Sequence, residues 1–107
     1  MNKVEIYTDG SCINNPGKGG VGIVMIYKSH IKYISEGYLL STNNRMELQA
    51  VITALENLKK ENLDINIYSD SKYVVDSVEK GWLKNWIKKN FKGKKNKDLW
   101  LKFNDLY

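Results

Sequence analysis

Two tetrapeptides of the same character, Ile6-Tyr7-Thr8-Asp9 and Ile67-Tyr68-Ser69-Asp70, constrain the fold more than any other feature of this chain. Each ends an apolar, strand-like run in an aspartate followed by a small residue. Between them Leu48, Val51, Ile52, Leu55 and Leu58 recur at helical spacing, entered through Thr42-Asn43-Asn44 and closed by Lys59-Lys60 and Asn62. Parallel strands need a long crossover connection, and a helix supplies one. The two strands are therefore expected side by side and parallel, with Asp9 and Asp70 together at the carboxyl edge of one sheet. Glu47, expected in the first turn of the crossover helix, lies near the same edge. Adjacent like charges are costly without a cation. Three converging carboxylates make a hard, oxygen-only site of the kind Mg²⁺ prefers, with Mn²⁺ as a substitute.

The remaining segments complete one α+β domain over residues 1–107. Val4 to Thr8 alternates as a strand and is expected to stop at Asp9-Gly10-Ser11, ahead of a polar, glycine-rich loop from Gly10 to Gly20. Gly22 to Tyr27 and Ile31 to Tyr38 read as two further strands joined tightly through Lys28-Ser29-His30. Ile65 to Ser69 is a fourth strand, and helices are predicted over Lys72 to Glu79, Trp82 to Lys89 and Asp98 to Tyr107. The order is βββαβααα, a mixed sheet with antiparallel strands 1–3 and a parallel strand 4. No linker and no solenoid-length repeat interrupts it.

Composition narrows the class. Lys+Arg 17 against Asp+Glu 12 gives a net charge of +5, which suits a polyanionic partner. Cys12 is the one cysteine, so neither an internal disulfide nor a multi-cysteine zinc site can form, and a reducing, cytoplasmic setting fits. No apolar run reaches the roughly 20 residues that span a bilayer, and the N-terminus has no signal-peptide pattern.

Each acid also has a local reading: Asp9 as an Asx-turn residue before Gly10, Asp70 as the cap of the Lys72 helix, Glu47 as the third position of an Asn44-x-x-Glu47 capping arrangement. Taken together, three local roles do not explain why all three acids point to one end of one sheet. Gly17-Lys18-Gly19-Gly20-Val21-Gly22 satisfies a dinucleotide-type glycine pattern, but its glycines lead into a strand instead of following one and opening a helix. A phosphate-accepting signalling domain would alternate strand and helix from the start, whereas this chain opens with three strands.

Tyr7-Thr8-Asp9-Gly10-Ser11-Cys12, Asn15-Pro16-Gly17 with Gly19-Gly20 and Gly22, Thr42-Asn43-Asn44-Arg45-Met46-Glu47-Leu48 and Ser69-Asp70-Ser71-Lys72-Tyr73-Val74 closely resemble type 1 ribonuclease H. The resemblance runs from residue 4 to the end and implies a ribonuclease H-like fold. It implies an endonuclease that cleaves the RNA strand of RNA–DNA hybrids by metal-assisted in-line hydrolysis, leaving a 3′-hydroxyl and a 5′-phosphate. By resemblance Asp9, Glu47 and Asp70 match three of the family's four metal-binding acids. Cys12, Asn15, Asn43 and Asn44 match minor-groove contacts that read 2′-hydroxyls, and Thr42 stands near a phosphate of the DNA strand. Lys72, Trp82, Lys84, Lys88 and Lys89 join the substrate-contacting set. The family continues through a fifth strand, a histidine-bearing loop and a helix with the fourth acid. No residue here matches that aspartate, neither Asp98 nor Asp105, and His30 reads as a surface turn residue.

From Gly81 to Lys97 seven lysines (Lys84, Lys88, Lys89, Lys92, Lys94, Lys95 and Lys97) stand among Trp82, Trp86 and Phe91 with no acid between them. The run resembles the family's basic protrusion, which grips the DNA strand by salt-sensitive phosphate attraction. Trp82 and Trp86, at i and i+4, read mainly as its anchors to the core. The alternative from another class is a catalytically incomplete hybrid-binding fragment, or a half-protein that needs a homodimer partner or complementary fragment. In that reading the fourth strand is an open sheet edge.

Overall fold

The computed structural model describes residues 3–58 and 64–106. Its elements are strands β1 (Lys3–Cys12), β2 (Gly17–Tyr27) and β3 (His30–Ser41), helix α1 (Asn43–Glu56), strand β4 (Asp64–Ser69), and helices α2 (Lys72–Glu79), α3 (Trp82–Lys88) and α4 (Lys97–Leu106). The predicted order and types hold. The helix closure at Lys59-Lys60 and Asn62, and the final residue of the last helix, lie outside the described residues.

The sheet runs β3-β2-β1-β4, with β1 antiparallel to β2, β2 antiparallel to β3, and β4 parallel to β1. Two boundaries differ from expectation. β1 does not stop at Asp9 but continues to Cys12, because Gly19 to Gly22 of β2 pair with Asp9 to Cys12. The expected eleven-residue loop shrinks to residues 13–16, glycines having supplied sheet rather than loop. The second hairpin closes on Lys28 and Ser29 alone, Tyr27 pairing with His30, and Lys28 takes the left-handed conformation (φ 56). His30 is exposed at the start of β3.

Helix α1 is the crossover, and it is buried along most of its circumference, as a helix with apolar residues on several faces must be. Met46, Ala50 and Ala54 lie against Val4, Ile6, Val21, Ile23 and Met25 of the sheet. Leu48, Val51, Ile52 and Leu55 face a second cluster built with Val74, Leu83, Phe91, Leu99, Trp100 and Phe103 from α2 to α4. The alanines on the sheet flank let the helix come close, while the branched side chains fill the wider gap to the helices. The other sheet face, with Tyr7, Tyr68, Ile31 and Tyr33, is exposed among the described residues, and Tyr7 stacks on Tyr68 with ring centroids 4.8 Å apart.

Leu48 has no solvent exposure and sits where α1 meets the helices. Leu48→Ala should cost about 3 kcal/mol of stability, as large-to-small changes in close-packed cores do. Urea unfolding followed by circular dichroism checks this, with a midpoint close to that of the parent chain counting against it.

Candidate active site

The β1–β4 register pairs Tyr7 with Tyr68 and Thr8 with Ser69. Asp9 is the next residue of β1 and Asp70 the residue that follows β4, so the parallel pairing leads both to the same edge, where β4 ends and β1 runs on with β2. The local alternatives for the acids fall away. Asp9 is inside β1 and not in an Asx turn. Ser71, not Asp70, caps α2, its side chain accepting from Val74 N at 3.2 Å. Thr42 caps α1 through its hydroxyl, which accepts from Arg45 N at 3.2 Å. The helix therefore starts at Asn43, one residue before Asn44, and Glu47 lies just past the first turn instead of within it.

Glu47 does not reach back to a cap. Its Oε1 accepts from Gly10 N at 2.6 Å, linking α1 to β1 beside Asp9. A Cβ on Gly10 would fall on the Met46 carbonyl and 2.6 Å from Glu47 N, and one on Gly19 would lie 2.7 Å from Met46 Sδ. Gly10 lets the helix backbone rest on the sheet, and Gly19 leaves room for the Met46 side chain.

Burial pushes the Glu47 carboxyl above the usual carboxylate range; the Gly10 N–H opposes this, and the charges of Asp9 and Asp70 add to it. Glu47 thus feels both aspartates, the like-charge arrangement a cation relieves. The donor set is hard oxygen throughout, which suits Mg²⁺ or Mn²⁺. As the side chains stand, no three His, Cys, Asp or Glu among the described residues are gathered closely enough to hold one ion. Asp9 lines an open cleft of about 410 Å³ with Gly10, Ser11, Gly22, Ser35 and Glu36 on the exposed sheet face, while Glu47 approaches from α1 on the other face.

The remaining sequence-predicted residues fall into two groups. Cys12, Asn15 and Asn43 meet at the start of α1: Asn43 Oδ1 accepts from Cys12 N at 2.7 Å, and Asn15 Oδ1 from Asn43 N at 3.0 Å. The carbonyl ends of both asparagines therefore hold the 13–16 loop to α1. Asn44 and Lys72 are exposed nearby on α1 and α2. In the arm all seven lysines are exposed. Trp86 anchors as expected, edge-on to Trp100 at 5.8 Å, but Trp82 does not: the residue is 45% exposed, and its ring lies under Lys80 Nζ at 5.5 Å. The apolar anchors of α3 and the turn after it are Leu83 and Phe91 instead. A cleft lined by Asn44, Tyr73, Trp82, Trp86, Lys94 and Asn96 joins the arm to the α1 start.

Sequence reading missed Arg45, Asn96 and Asp98. Arg45 Nη1 donates to Asp98 Oδ1 at 3.0 Å and to Asn96 Oδ1 at 3.1 Å, and Nη2 to Asp98 Oδ2 at 2.8 Å. The Arg45 guanidinium holds the Asp98 carboxyl below the usual carboxylate range. No local pattern signals this pair, whose members stand 53 positions apart.

The strand order and the crossover helix define a mixed α+β domain with acids at the carboxyl edge of its sheet. The RNase H family model matches residues 1–107. Ribonuclease H of Actinobacillus pleuropneumoniae serotype 5b is 55% identical over 106 residues, covering 94% of this chain and 68% of that protein. Among solved structures, LC9-RNase H1, a type 1 RNase H with the type 2 active-site motif, superposes with TM-score 0.81 at 27% identity, over 99% of this chain and 58% of that one. LC11-RNase H1 in complex with an RNA/DNA hybrid matches with TM-score 0.59 at 28% identity, over 72% and 61%. The chain belongs to the RNase H family, in its type 1 branch. It spans about two thirds of the length of the curated relatives it matches.

Because the folded-state carboxyl of Glu47 is raised, its contribution favours folding below the ordinary glutamate range and is lost as pH rises through the shifted value. Glu47→Gln keeps the acceptor for Gly10 and removes the charge. In metal-free buffer at pH 7 it should raise Tm, because the charge that burial and the two neighbouring aspartates disfavour is gone. The gain should vanish near pH 4, and scanning calorimetry at both pH values decides. Gly10→Ala should lower stability by about 2 kcal/mol or more, since only backbone can give way; an unchanged denaturation midpoint would refute the close approach.

Proposed function

We propose that this chain acts as a ribonuclease H, hydrolysing the RNA strand of RNA–DNA hybrids to leave 3′-hydroxyl and 5′-phosphate ends. One observation carries the reading: in a chain of this family, the parallel β1–β4 register leads Asp9 and Asp70 to the same edge, and Glu47 is electrostatically linked to both. Asp9, Glu47 and Asp70 would hold divalent metal, Mg²⁺ or Mn²⁺ in its place. When bound, such ions supply activation of water and neutralisation of charge at the phosphate.

The protein's own residues account for gripping. Lys84, Lys88 and Lys89 on and beside α3 present exposed positive charge to a phosphate backbone, with Trp82 exposed beside them. Asn15 and Asn43 use their carbonyls internally and keep their amide donors for 2′-hydroxyls or base edges. Asn44 lines the cleft that reaches the arm, and Cys12, Thr42 and Lys72 are the remaining residues taken to contact the hybrid. Residues 1–107 belong to the ribonuclease H domain, and residues 81–97 are its basic protrusion. The lone, partly buried Cys12 agrees with a cytoplasmic setting.

A second reading is supported by β4, which has a strand on one side only among the described residues. There the chain binds hybrid and cleaves only when a second copy or a complementary fragment covers that edge.

The test is cleavage of a labelled hybrid with Mg²⁺ or Mn²⁺ by protein already sized in solution, beside double-stranded RNA and DNA. Hybrid-specific cleavage is expected, with Asp70→Asn lowering the rate by about 100-fold or more as a metal ligand is lost. Replacing Lys88 and Lys89 together by alanine should flatten the slope of log affinity against log salt by roughly 1.8, two phosphate contacts' worth. Intact hybrid with retained, salt-sensitive binding would overturn catalysis by this chain alone and favour the second reading.

A further inference from the structure

A polar cluster that the proposed chemistry does not use joins the start of α1 to the far end of the lysine arm. We propose that Arg45, Asn96 and Asp98 form a clasp that positions the arm against the carboxylate edge, making Arg45 a positioning residue for hybrid binding; this role rests on the function proposed above.

Arg45 stands on α1 two residues before Glu47, and its planar fork grips both oxygens of Asp98 and the side-chain carbonyl of Asn96. Bidentate, charge-assisted pairs of this kind fix geometry as well as adding strength. Asn96 stands where the arm meets α4. It takes a left-handed conformation (φ 63), its backbone carbonyl accepts from Trp100 N at 3.0 Å, and its Nδ2 donates to the Tyr73 hydroxyl at 3.1 Å. The same hydroxyl accepts from Trp100 Nε1 at 2.8 Å. One asparagine side chain therefore ties α1 to α2, and its backbone starts α4.

The near leg of the arm is held differently, by Leu83 and Phe91 in the core and by Trp86 edge-on to Trp100. Between the two legs lie exposed lysines whose mutual repulsion favours splaying. The Arg45 clasp refers the far leg to α1, the helix that also carries Asn43, Asn44 and Glu47, at the point where the arm gives way to the apolar packing of Leu99 and Trp100 on that helix. Phosphate contacts set the register of a duplex on a protein, so the distance between arm and carboxylates decides whether one duplex meets both. Lysine at position 45 brings a point charge that cannot span Asp98 and Asn96 together.

The experiment uses the full chain with Arg45→Ala, Asp98→Ala, the double variant and Arg45→Lys. It reads hybrid Kd across a salt series, KM and kcat, Tm, and amide hydrogen exchange at Phe91, Lys92 and Lys94, whose turn hydrogen bonds shape the arm. Each single alanine variant should raise Kd and KM about tenfold with kcat within about twofold, and the double should be no worse than either single because the two share one interaction. Exchange should quicken about tenfold in the arm and stay unchanged at Ile6 and Ile23, as local loosening predicts. Arg45→Lys should recover little of either. Additive singles, full rescue by lysine, or a lower Tm with unchanged Kd and unchanged arm exchange would each overturn the clasp. If the parent chain does not bind hybrid, the proposed function fails, and arm exchange alone then decides whether the clasp orders the arm.

Discussion

The close approach of α1 to β1 at Gly10 is the constraint on which the rest of the structure depends. Without a side chain at Gly10, helix backbone lies on strand backbone, and the Gly10 N–H meets the Glu47 carboxylate at 2.6 Å. That contact fixes α1 along the sheet. It also sets which residues of α1 reach the carboxyl edge and which turn to the helices on the far side. Glycine is required there for space, not for an unusual backbone conformation.

From this placement the two clusters follow. Met46, Ala50 and Ala54 fill the short distance to the sheet, and Leu48, Val51, Ile52 and Leu55 the longer one to α2, α3 and α4. The arrangement stores electrostatic cost at the edge, where burial and two neighbouring aspartates disfavour the Glu47 charge. Such cost is typical of sites where stability is given up for binding or chemistry. At the other end of the chain the arm has the opposite problem, an excess of positive charge with no acid inside it, met by tethering both legs to neutral or oppositely charged groups.

The local alternatives weighed for the three acids were each reasonable on sequence grounds, and each role is filled by a neighbour: Thr42 and Ser71 are the caps, and the sheet continues through Asp9. Propensity misled in the glycine-rich stretch, where Gly17, Gly19 and Gly20 read as loop yet form β2, because strand pairing outweighs the weak strand preference of glycine. The reading of Trp82 as an anchor failed for a similar reason. Spacing of i and i+4 shows that two side chains share a helix face, but not which part of that face the core covers.

The sequence by itself determined the order of elements, the crossover helix with its apolar positions, and the parallel pairing of the two strands that lead into Asp9 and Asp70, because each rests on periodicity or on a short contiguous motif. It also determined the charge of the arm, which needs only composition. The tertiary structure alone decided that α1 touches β1 at Gly10, that Asn15 and Asn43 hold each other, and that Arg45 grips Asn96 and Asp98 across 51 and 53 positions. Those contacts join residues with no shared local pattern. They exist because two packed layers bring distant backbone into reach, a relation that no window along the chain contains.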